Sequence, residues 1–511
     1  MQKCFLGCAS YPEDYKLSRH NLVHFWVSDC IKVPDDKEWT EDLTKVSLIG
    51  NRISDIASNF SPVCPNLSTL LLEDNPLNYV PDLFFLHIKG LRFLSLTQAP
   101  IRRLPDSISD LENLSALVVS CCSFLIYVPP LTKLVKLKVL DLTSNDSLKD
   151  VPHGIEVLPN LRYLSLAYCE KLCVSFYNLI TGLSYIEHLE IGCGVKNIMG
   201  KNLMKLQHLK RLKGCWFSNV SDFNNYIKSP HIHQLKYYQF YISSTTPHQL
   251  CHSVIDGKFD KNVVVHEYSK ERDGENEPLL LPDDIQFLQL IYADSSVRTL
   301  PDAVPSVQGL TRLARIWIGY CQGLEYIWSS ASSSVTEFES LVELNLSELS
   351  NFRGILTSGV PGNALHNLKK LTIEYCSKIE ALFTATVISQ ARNLEVLEVQ
   401  VCAGLKELIS ISDTPDGAEG ENSMIYLPKL RILQLVYLPN LVTICFKGLL
   451  GCHHIECITI IQCPFLKKLP FSYQLVENGQ QFEALKRMII EKTWWETLDG
   501  TSRNKHKRQN N

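Results

Sequence analysis

The sequence predicts an α/β fold in which short parallel strands stack as a solenoid, and two observations lead to this prediction. The stretch LKKLTIEYCSKIEALF, residues 368–383, places apolar residues or cysteine at positions 1, 4, 6, 9, 12 and 15. This spacing fits neither a simple helix nor a simple strand. The same frame returns about 17 times, mostly at intervals of roughly 23 to 28 residues. A frame that recurs so often indicates stacked structural repeats.

The frame is L-x-x-L-x-L-x-x-N/C, the pattern of leucine-rich repeats, which predicts a horseshoe with one short parallel strand per repeat. Copies start at Leu43, Leu67, Leu91, Leu114, Leu137, Leu161, Ile186, Ile285, Leu313, Leu341, Leu368, Leu394, Leu430, Ile455 and Leu485, with weaker copies near Leu209 and Leu235. Positions 4 and 6 alternate with positions 3, 5 and 7, as in a strand. We therefore expect positions 1, 4, 6 and 12 to enter a shared core.

Position 9 follows the strand, where the chain turns inward and its backbone groups need hydrogen-bond partners. Asparagine can supply these bonds, and Asn51, Asn75 and Asn145 occupy the position. Cysteine is small, tolerates burial and donates weakly. The cysteines on this position are Cys122, Cys169, Cys321, Cys376, Cys402 and Cys463. The pattern favours a structural role for these six over a catalytic or metal-binding one.

The repeats predict the organisation of the chain. Residues 43–240 form a first repeat array, and residues 285–498 form a second. Between them, 241–284 is charged and punctuated by glycine and proline, which predicts an irregular insertion. Residues 412–422 predict a smaller acidic loop, and 499–511 predict a basic, disordered tail.

Bulk composition excludes several classes of function. The chain has 511 residues, 45% of them hydrophobic and 20% charged, as expected of a folded soluble protein. Its net charge of −4 argues against nucleic-acid binding through bulk electrostatics. No apolar run reaches the length of a membrane helix. The 18 cysteines are scattered, and no secretory signal is evident, which predicts reduced thiols in the cytosol or nucleus.

Candidate chemistry is sparse. The sequence holds no phosphate-binding loop, nucleophile elbow or paired C-x-x-C motif. The cluster CHHIEC, residues 452–457, suggests zinc, but Ile455 and Ile458 hold repeat positions, so Cys457 should face away from the core. Cys251, His252 and His266 fall in the predicted insertion, and the pair Asp283 and Asp284 favours surface charge. The sequence therefore predicts no enzyme, no metal site and no cofactor.

A protein-binding face remains, formed by positions 3, 5 and 7 of each strand with position 8 beside them. Aromatic side chains mixed with both charges are typical of protein-binding anchors, whereas the alternative is an ordinary solvated sheet. The candidate residues lie in the second array: Arg315, Trp317, Tyr320, Lys370, Glu374, Tyr375, Glu398, Gln400, Gln434 and Tyr437.

The first residues carry a more specific resemblance. The segment KCFLGCASYPEDYKLSRHNLVHFWVSDCI, residues 3–31, contains a Cys-Phe-Leu start, then Cys8, Pro12–Tyr15, Leu22 and Trp26. It resembles the winged-helix end of the NB-ARC module of plant disease-resistance proteins. WWETLDG, residues 494–500, is similar to the end of the coiled-coil class of that family. The resemblance implies that residues 1–42 are a short helical remnant of the winged-helix region with a linker.

The resemblance implies an intracellular immune receptor whose repeats recognise a pathogen effector, a guarded host protein altered by it, or the NB-ARC module of a related receptor. Family members bind ADP or ATP, but this sequence lacks the phosphate loop and the Met-His-Asp segment, so no nucleotide-binding residue carries over. Asp29 and Cys30 also stand where the family motif has glycine. We therefore expect a protein without its own nucleotide switch, located in the cytoplasm, in the nucleus or peripherally at the plasma membrane.

Three hypotheses about function remain open. The chain is the repeat region of a resistance protein that binds a protein in plant defence, or a generic leucine-rich-repeat scaffold or ubiquitin-ligase adaptor. The third hypothesis, an enzyme, rests only on the His/Cys clusters. An adaptor needs a docking motif beside the repeats, and residues 1–31 do not resemble an F-box.

Overall fold

The computed structural model describes residues 39–180, 182–192, 195–196, 198–243, 259–268, 277–328, 340–356, 365–410, 424–445, 449–452, 454–467 and 485–492. The described residues divide into two compact units, the first ending at Cys215 and the second beginning at Trp216. This boundary lies inside the segment predicted as the first array. Short parallel strands recur in both units at the spacing of the sequence frame, so the predicted α/β leucine-rich-repeat fold is confirmed.

Most strands of the first unit are parallel and two to three residues long, because most of its repeats supply only positions 3 to 5 to the main ladder. The strands are β1 (Lys45–Ser47), β2 (Thr69–Leu71), β3 (Phe93–Ser95), β4 (Ala116–Val118), β5 (Val139–Asp141), β6 (Tyr163–Ser165), β7 (Val174–Ser175), β8 (His188–Glu190), β9 (Val195–Lys196) and the longer β10 (Arg211–Phe217). β1 to β6 pair in chain order, β6 pairs with β8, and β8 pairs with the start of β10. The short strands β7 and β9 pair with each other.

The main sheet of the second unit has longer strands, mostly of five residues, which pair in parallel in chain order. They are β11 (Tyr237–Ile242), β12 (Lys261–His266), β13 (Phe287–Ile291), β14 (Arg315–Gly319), β16 (Glu343–Ser347), β18 (Lys370–Glu374), β20 (Val396–Gln400), β23 (Ile432–Val436), β26 (Cys457–Ile461) and β27 (Arg487–Ile490). Equivalent frame positions face each other, as in the pairing of Leu344 with Leu371.

A second strip of strands was not predicted. It comprises β15 (Tyr326–Trp328), β17 (Gly354–Leu356), β19 (Ala381–Thr384), β21 (Glu407–Ser410), β22 (Met424–Tyr426), β24 (Thr443–Cys445) and β25 (Leu449–Gly451). β15 pairs with β17, β19 with β21 and β21 with β24, all in parallel, and β22 pairs with β25. Several of these strands begin at position 14 of their repeats, so the later repeats contribute two strands rather than one.

The start of the second unit departs from the predicted frame. Phe240 of β11 faces Val263 of β12, so the frame of this repeat begins at Tyr237, two residues after the predicted Leu235. β11 is buried on nearly all sides, and without alternation the sequence pattern cannot fix the register. β12 itself lies within 241–284, which was predicted as an irregular insertion. Its run of consecutive valines hides the period of two.

Helices are short and lie in the connections between strands. They are α1 (Phe176–Ile180), α2 (Gly200–Leu203), α3 (Val220–Ile227), α4 (Leu300–Ala303) and α5 (Ala385–Ile388), with 3₁₀ turns at Asp82–Phe85, Asp106–Asp110, Ile155–Val157, Pro230–Gln234 and Pro305–Gly309. Thr299 and Asp302 form a reciprocal capping box that fixes the start of α4. Across the described residues, none of the helices combines the length and apolar character needed to span a bilayer.

Leucine and isoleucine at positions 1, 4, 6 and 12 form the core, and Leu368, Leu371, Ile373 and Ile379 are all buried. These side chains stack from repeat to repeat along each unit. Burying such a side chain contributes roughly 1.5–3 kcal/mol. The positions that the sequence assigns to the core are thus the ones that hold the repeats together.

Position 9 is buried at Asn75, Asn145 and the six cysteines, whereas Asn51 in the first repeat is half-buried. Asn145 Oδ1 accepts the Cys122 N–H at 3.0 Å, and its Nδ2 donates to the Val119 and Leu142 carbonyls. The Cys169 thiol donates to the Leu142 carbonyl at 3.1 Å. The six cysteines at this position are buried. Burial raises the pKa of Cys321 to about 12, which keeps its thiol protonated and unreactive.

Several predicted features lie outside the described residues. They are the N-terminal resemblance at 1–31, Cys251 and His252, the acidic loop 412–422, the WWETLDG segment and the basic tail 499–511. The structure therefore does not test the domain boundaries that the sequence predicts in these segments.

Candidate protein-binding face

One face of the main sheet in the second unit carries the predicted binding residues. In β16, β18, β20 and β23 the residues at positions 4 and 6 are buried, whereas those at 3, 5 and 7 are half-buried. Alternation of this kind follows from the pleat of a strand. We call the side that bears positions 3, 5 and 7 of β12, β13, β14, β16, β18, β20, β23 and β26 the open face.

The open face is not exposed everywhere. Arg315, predicted as a contact residue, is only 7% exposed. Its Nε donates to Glu343 Oε2 at 2.7 Å, and its guanidinium carbon lies 5.3 Å and 5.5 Å from the centres of the Phe259 and Phe287 rings. These contacts with its own chain occupy the guanidinium, so the structure places Arg315 as a support of the face rather than as a contact surface.

In the first unit, too, some side chains at positions 5 and 7 are buried, although the sequence predicts that they are exposed. Ser95, Thr97 and Ser120 are buried. Ser95 donates to Glu73, and the Thr97 and Ser120 hydroxyls lie 3.3 Å apart. Short hydroxyl side chains that bond one another offer little area to a partner.

Trp317 is half-buried on the open face, and the adjacent Gly319 makes room for it. A Cβ built on Gly319 would lie 2.2 Å from Cη2 of the Trp317 indole. Glycine at the end of β14 thus lets the indole lie flat along the strand. The structure holds a large aromatic surface in place at the position where the sequence predicts it.

Charged residues on β18 and β20 form a cross-strand network. Lys370 Nζ lies 2.9 Å from Glu398 Oε2, and the Thr372 hydroxyl donates to the same carboxylate at 3.0 Å. Glu374 lies further along β18. Its partial burial, followed by the charge of Glu398, raises its pKa. The predicted residues Lys370, Glu374 and Glu398 are therefore brought together on two adjacent strands.

The tyrosines at position 8 are the most exposed of the predicted residues. Tyr375 is 52% exposed and Tyr437 is 49% exposed, and Tyr320 reaches 36%. All three have backbone φ between 56° and 58°, in the left-handed region that residues other than glycine rarely adopt. Gln400 and Gln434 are half-buried on the adjoining strands. The turns that follow β14, β18 and β23 thus each present an aromatic ring beside a polar sheet.

Two members of this surface were missed by the sequence interpretation. Tyr292 is 48% exposed and stacks on Tyr320 with ring centres 4.8 Å apart. Glu348 is exposed and hydrogen-bonds to Tyr320, and its charge is the first cause of the raised pKa of that tyrosine. Both occupy position 8 of their repeats. Counting eight residues from each frame start would have found them.

The candidate metal ligands that the structure describes do not converge. Across the described part of the chain, no group of three His, Cys, Asp or Glu side chains is arranged to hold a metal ion. Cys452 is buried, which raises its pKa to about 12, while Cys457 starts β26 at position 3, facing away from the core as predicted. Asp284 accepts from Tyr238 at 2.9 Å and pairs with Lys261. His453 lies outside the described residues.

Comparisons with known proteins identify the families and relatives that the chain resembles. The family described as "Plant disease resistance protein RPS2-like, leucine-rich repeats" matches residues 285–403 and 358–492, and the family "Leucine-rich repeat region" matches residues 66–256. A leucine-rich-repeat protein of Leptospira interrogans is similar in structure, with a TM-score of 0.42 and 17% identity over 88% of this chain and 96% of that one.

Curated relatives come from Arabidopsis thaliana. A disease resistance protein is 25% identical over 97% of this chain and 56% of its own length. A probable disease resistance protein is 24% identical over 96% of this chain and 60% of its own length. The chain thus spans little more than half the length of these relatives. The chain is thus a leucine-rich-repeat protein that is similar over nearly its whole length to plant disease resistance proteins.

Proposed function

We propose that the chain acts in plant defence by binding a protein through the open face of the second unit. The bound protein is a pathogen effector, a host protein modified by one, or the NB-ARC module of a related receptor. The observation that carries the proposal is the set of exposed tyrosines beside the Lys370–Glu398 network on a rigid sheet. Aromatic anchors in a polar surround are typical of interface hot spots.

Support also comes from how the face is built. The side chains at positions 3, 5, 7 and 8 are fixed by strands whose opposite sides are buried in the core. A surface ordered before binding loses little conformational entropy when a partner arrives. The buried thiols of Cys321 and Cys452 have pKa values raised by burial, unlike the lowered values of reactive thiols.

Co-immunoprecipitation and cell-death assays in leaf tissue test the proposal. The chain is expressed with candidate effectors and with NB-ARC modules of related receptors. We expect the double variant Tyr375→Ala/Tyr437→Ala to lose at least about tenfold in affinity for the bound protein, since each anchor residue contributes more than about 1 kcal/mol. The control is Tyr177→Ala, which truncates an equally exposed tyrosine outside the open face.

Two results would overturn the proposal. One is unchanged binding and cell death in the double variant, with the control behaving alike. The other is recovery of ubiquitin-ligase components with no effect on cell death, which would favour an adaptor instead.

A further inference from the structure

The side chains at position 8 of the second unit form a continuous row at the carboxyl edge of the open face. We call this row the tyrosine edge. In strand order it consists of Glu267, Tyr292, Tyr320, Glu348, Tyr375, Val401, Tyr437 and Gln462. The backbone is left-handed at each of these residues, which turns every side chain outward at the same point of its repeat. The four tyrosines therefore share one border of the sheet.

Charge along this border is negative. The cations at positions 3 to 8 of the open-face strands are Arg315 and Lys370, and both are engaged by Glu343 and Glu398. The carboxylates Glu267, Glu348 and Glu374 lie at positions 7 and 8, where these strands place no lysine or arginine. A partner that lies along the border therefore meets negative carboxylates, and no lysine or arginine at positions 7 and 8 neutralises their charge.

The aromatic rings add a second feature that favours a cationic partner. Tyr320 and Tyr375 flank Glu348, since β14, β16 and β18 are consecutive in the sheet. A guanidinium or ammonium group over a tyrosine face gains roughly 0.5–1 kcal/mol at an exposed site. A carboxylate beside the ring can at the same time accept hydrogen bonds from the N–H groups of that cation. Ring, carboxylate and ring in succession form a place for a positively charged side chain.

Spacing indicates the conformation of the partner. Tyrosines two strands apart are separated by about 9.6 Å, twice the roughly 4.8 Å between neighbouring strands. Tyr320 and Tyr375 have this relation, and so do Tyr375 and Tyr437. A polyproline-II segment rises about 3.1 Å per residue, so every third side chain recurs after roughly 9.3 Å on one side. An extended segment that crosses the strands would therefore stay in step with the rings.

We propose that the tyrosine edge binds an extended segment of a partner protein that carries arginine or lysine at every third residue. The inference rests on the proposed function, because it names the chemistry of the protein that the open face recognises. The cationic side chains lie between the tyrosine rings, and Glu348 and Glu374 pair with them.

Fluorescence anisotropy with synthetic peptides and the full chain tests the proposal. The probe repeats Arg-Pro-Pro four times. One control repeats Glu-Pro-Pro, and another has the same composition as the probe with all its arginines adjacent. We expect the probe to bind, the acidic peptide not to bind, and the clustered peptide to bind at least about threefold more weakly. Binding of the probe should also weaken as salt rises, as for other exposed charge pairs.

Variants locate the binding. Tyr375→Ala should weaken the probe about two- to fivefold, in line with one lost cation–π contact, and Glu348→Gln should have a similar effect and a smaller salt dependence. Tyr177→Ala is the matched control and should bind as the unchanged chain does. Thermal unfolding checks that each variant stays folded.

Equal binding of the acidic peptide, or unchanged binding in both edge variants, would overturn this inference. So would no binding of any peptide by a folded chain. In those cases the proposed function still stands if Tyr375→Ala/Tyr437→Ala loses its defence partner. If the peptides bind as expected and no defence partner depends on the face, the proposed function fails and the chemistry of the edge holds.

Discussion

At the scale of single residues, position 9 shows how one slot accepts two chemistries. Asn75 Oδ1 accepts the Ile53 N–H at 3.0 Å, and its Nδ2 donates to the carbonyls of Leu48 and Leu72. The cysteine version is simpler, and the Cys402 thiol donates to the Gln400 carbonyl at 3.2 Å. Asparagine joins backbone groups of two repeats by strong hydrogen bonds, whereas cysteine offers a weak donor and good packing.

This difference predicts unequal costs for truncation. Asn145→Ala removes the acceptor of the Cys122 amide and the donor of two carbonyls, so it should lower the free energy of unfolding by about 2–4 kcal/mol. Cys169→Ala in the next repeat should cost only about 1 kcal/mol. Urea unfolding measures both variants, and hydrogen exchange of the Cys122 amide should quicken in Asn145→Ala alone. Equal losses in the two variants would show that the asparagine bonds add nothing to packing.

The repeat pattern did not predict a second position at which a polar side chain recurs and bonds the backbone. The residue before position 1 is asparagine in several repeats, and Asn66, Asn113, Asn160 and Asn393 each donate to a carbonyl of the preceding repeat at 2.7–3.0 Å. These residues are polar and lie between repeats, so the sequence alone offers no reason to separate them from ordinary loop residues. The position-9 slot was predictable because its residues are unusual for a buried site.

At the scale of the structural element, most of the described repeats end their strand with one left-handed residue at position 8. Glycine holds this position in the first repeat as Gly50, but most other repeats use residues with a side chain, including Val401 at φ 52°. A β-branched residue in this region is strained. The strand itself was predictable from the sequence, because the apolar residues at positions 4 and 6 alternate with those at positions 3, 5 and 7. The turn was not, because tyrosine, glutamate and valine carry no signal for a positive φ.

The strain at Val401 predicts a stabilising substitution. Asparagine adopts the left-handed region more easily than valine, so Val401→Asn should raise the free energy of unfolding by about 1 kcal/mol. The matched control is Val436→Asn, which changes a valine of similar half-burial at the end of β23, with no positive φ. The control should be neutral or destabilising. Chemical unfolding of both variants decides the matter, and no gain at Val401 would mean that the turn tolerates a branched side chain without cost.

Strands that are buried on both faces are difficult to place from the sequence alone. β11 and β12 were missed or misaligned because their side chains are buried on nearly every position, and a frame that depends on alternation then has nothing to follow. The second strip of strands begins where the repeat turns to its other side, and its short segments, such as β15, have no clear period. By contrast, β18 and β20 alternate cleanly and were placed to the residue.

At the scale of the whole molecule, repeat architecture limits how far a local change spreads. Stability in such arrays is close to a sum of repeat terms and nearest-neighbour interfaces. The parallel pairing of consecutive strands fits this description, since β18 contacts β16 on one side and β20 on the other. Surface and core of one repeat therefore have separable roles, and the candidate residues of the open face can be changed without removing the core beneath them.

Leu371→Ala tests this separation. Leu371 is fully buried at position 4 of β18, so its truncation should leave a cavity and lower the free energy of unfolding by about 2–5 kcal/mol. Because coupling passes mainly between neighbours, hydrogen exchange should quicken most in β16, β18 and β20, and amides of β2 to β6 in the first unit should keep their protection. Tyr375→Ala, four residues along the same repeat, should leave exchange throughout the chain unchanged. Uniform loss of protection in Leu371→Ala would contradict nearest-neighbour coupling, since the chain would then unfold as one cooperative body.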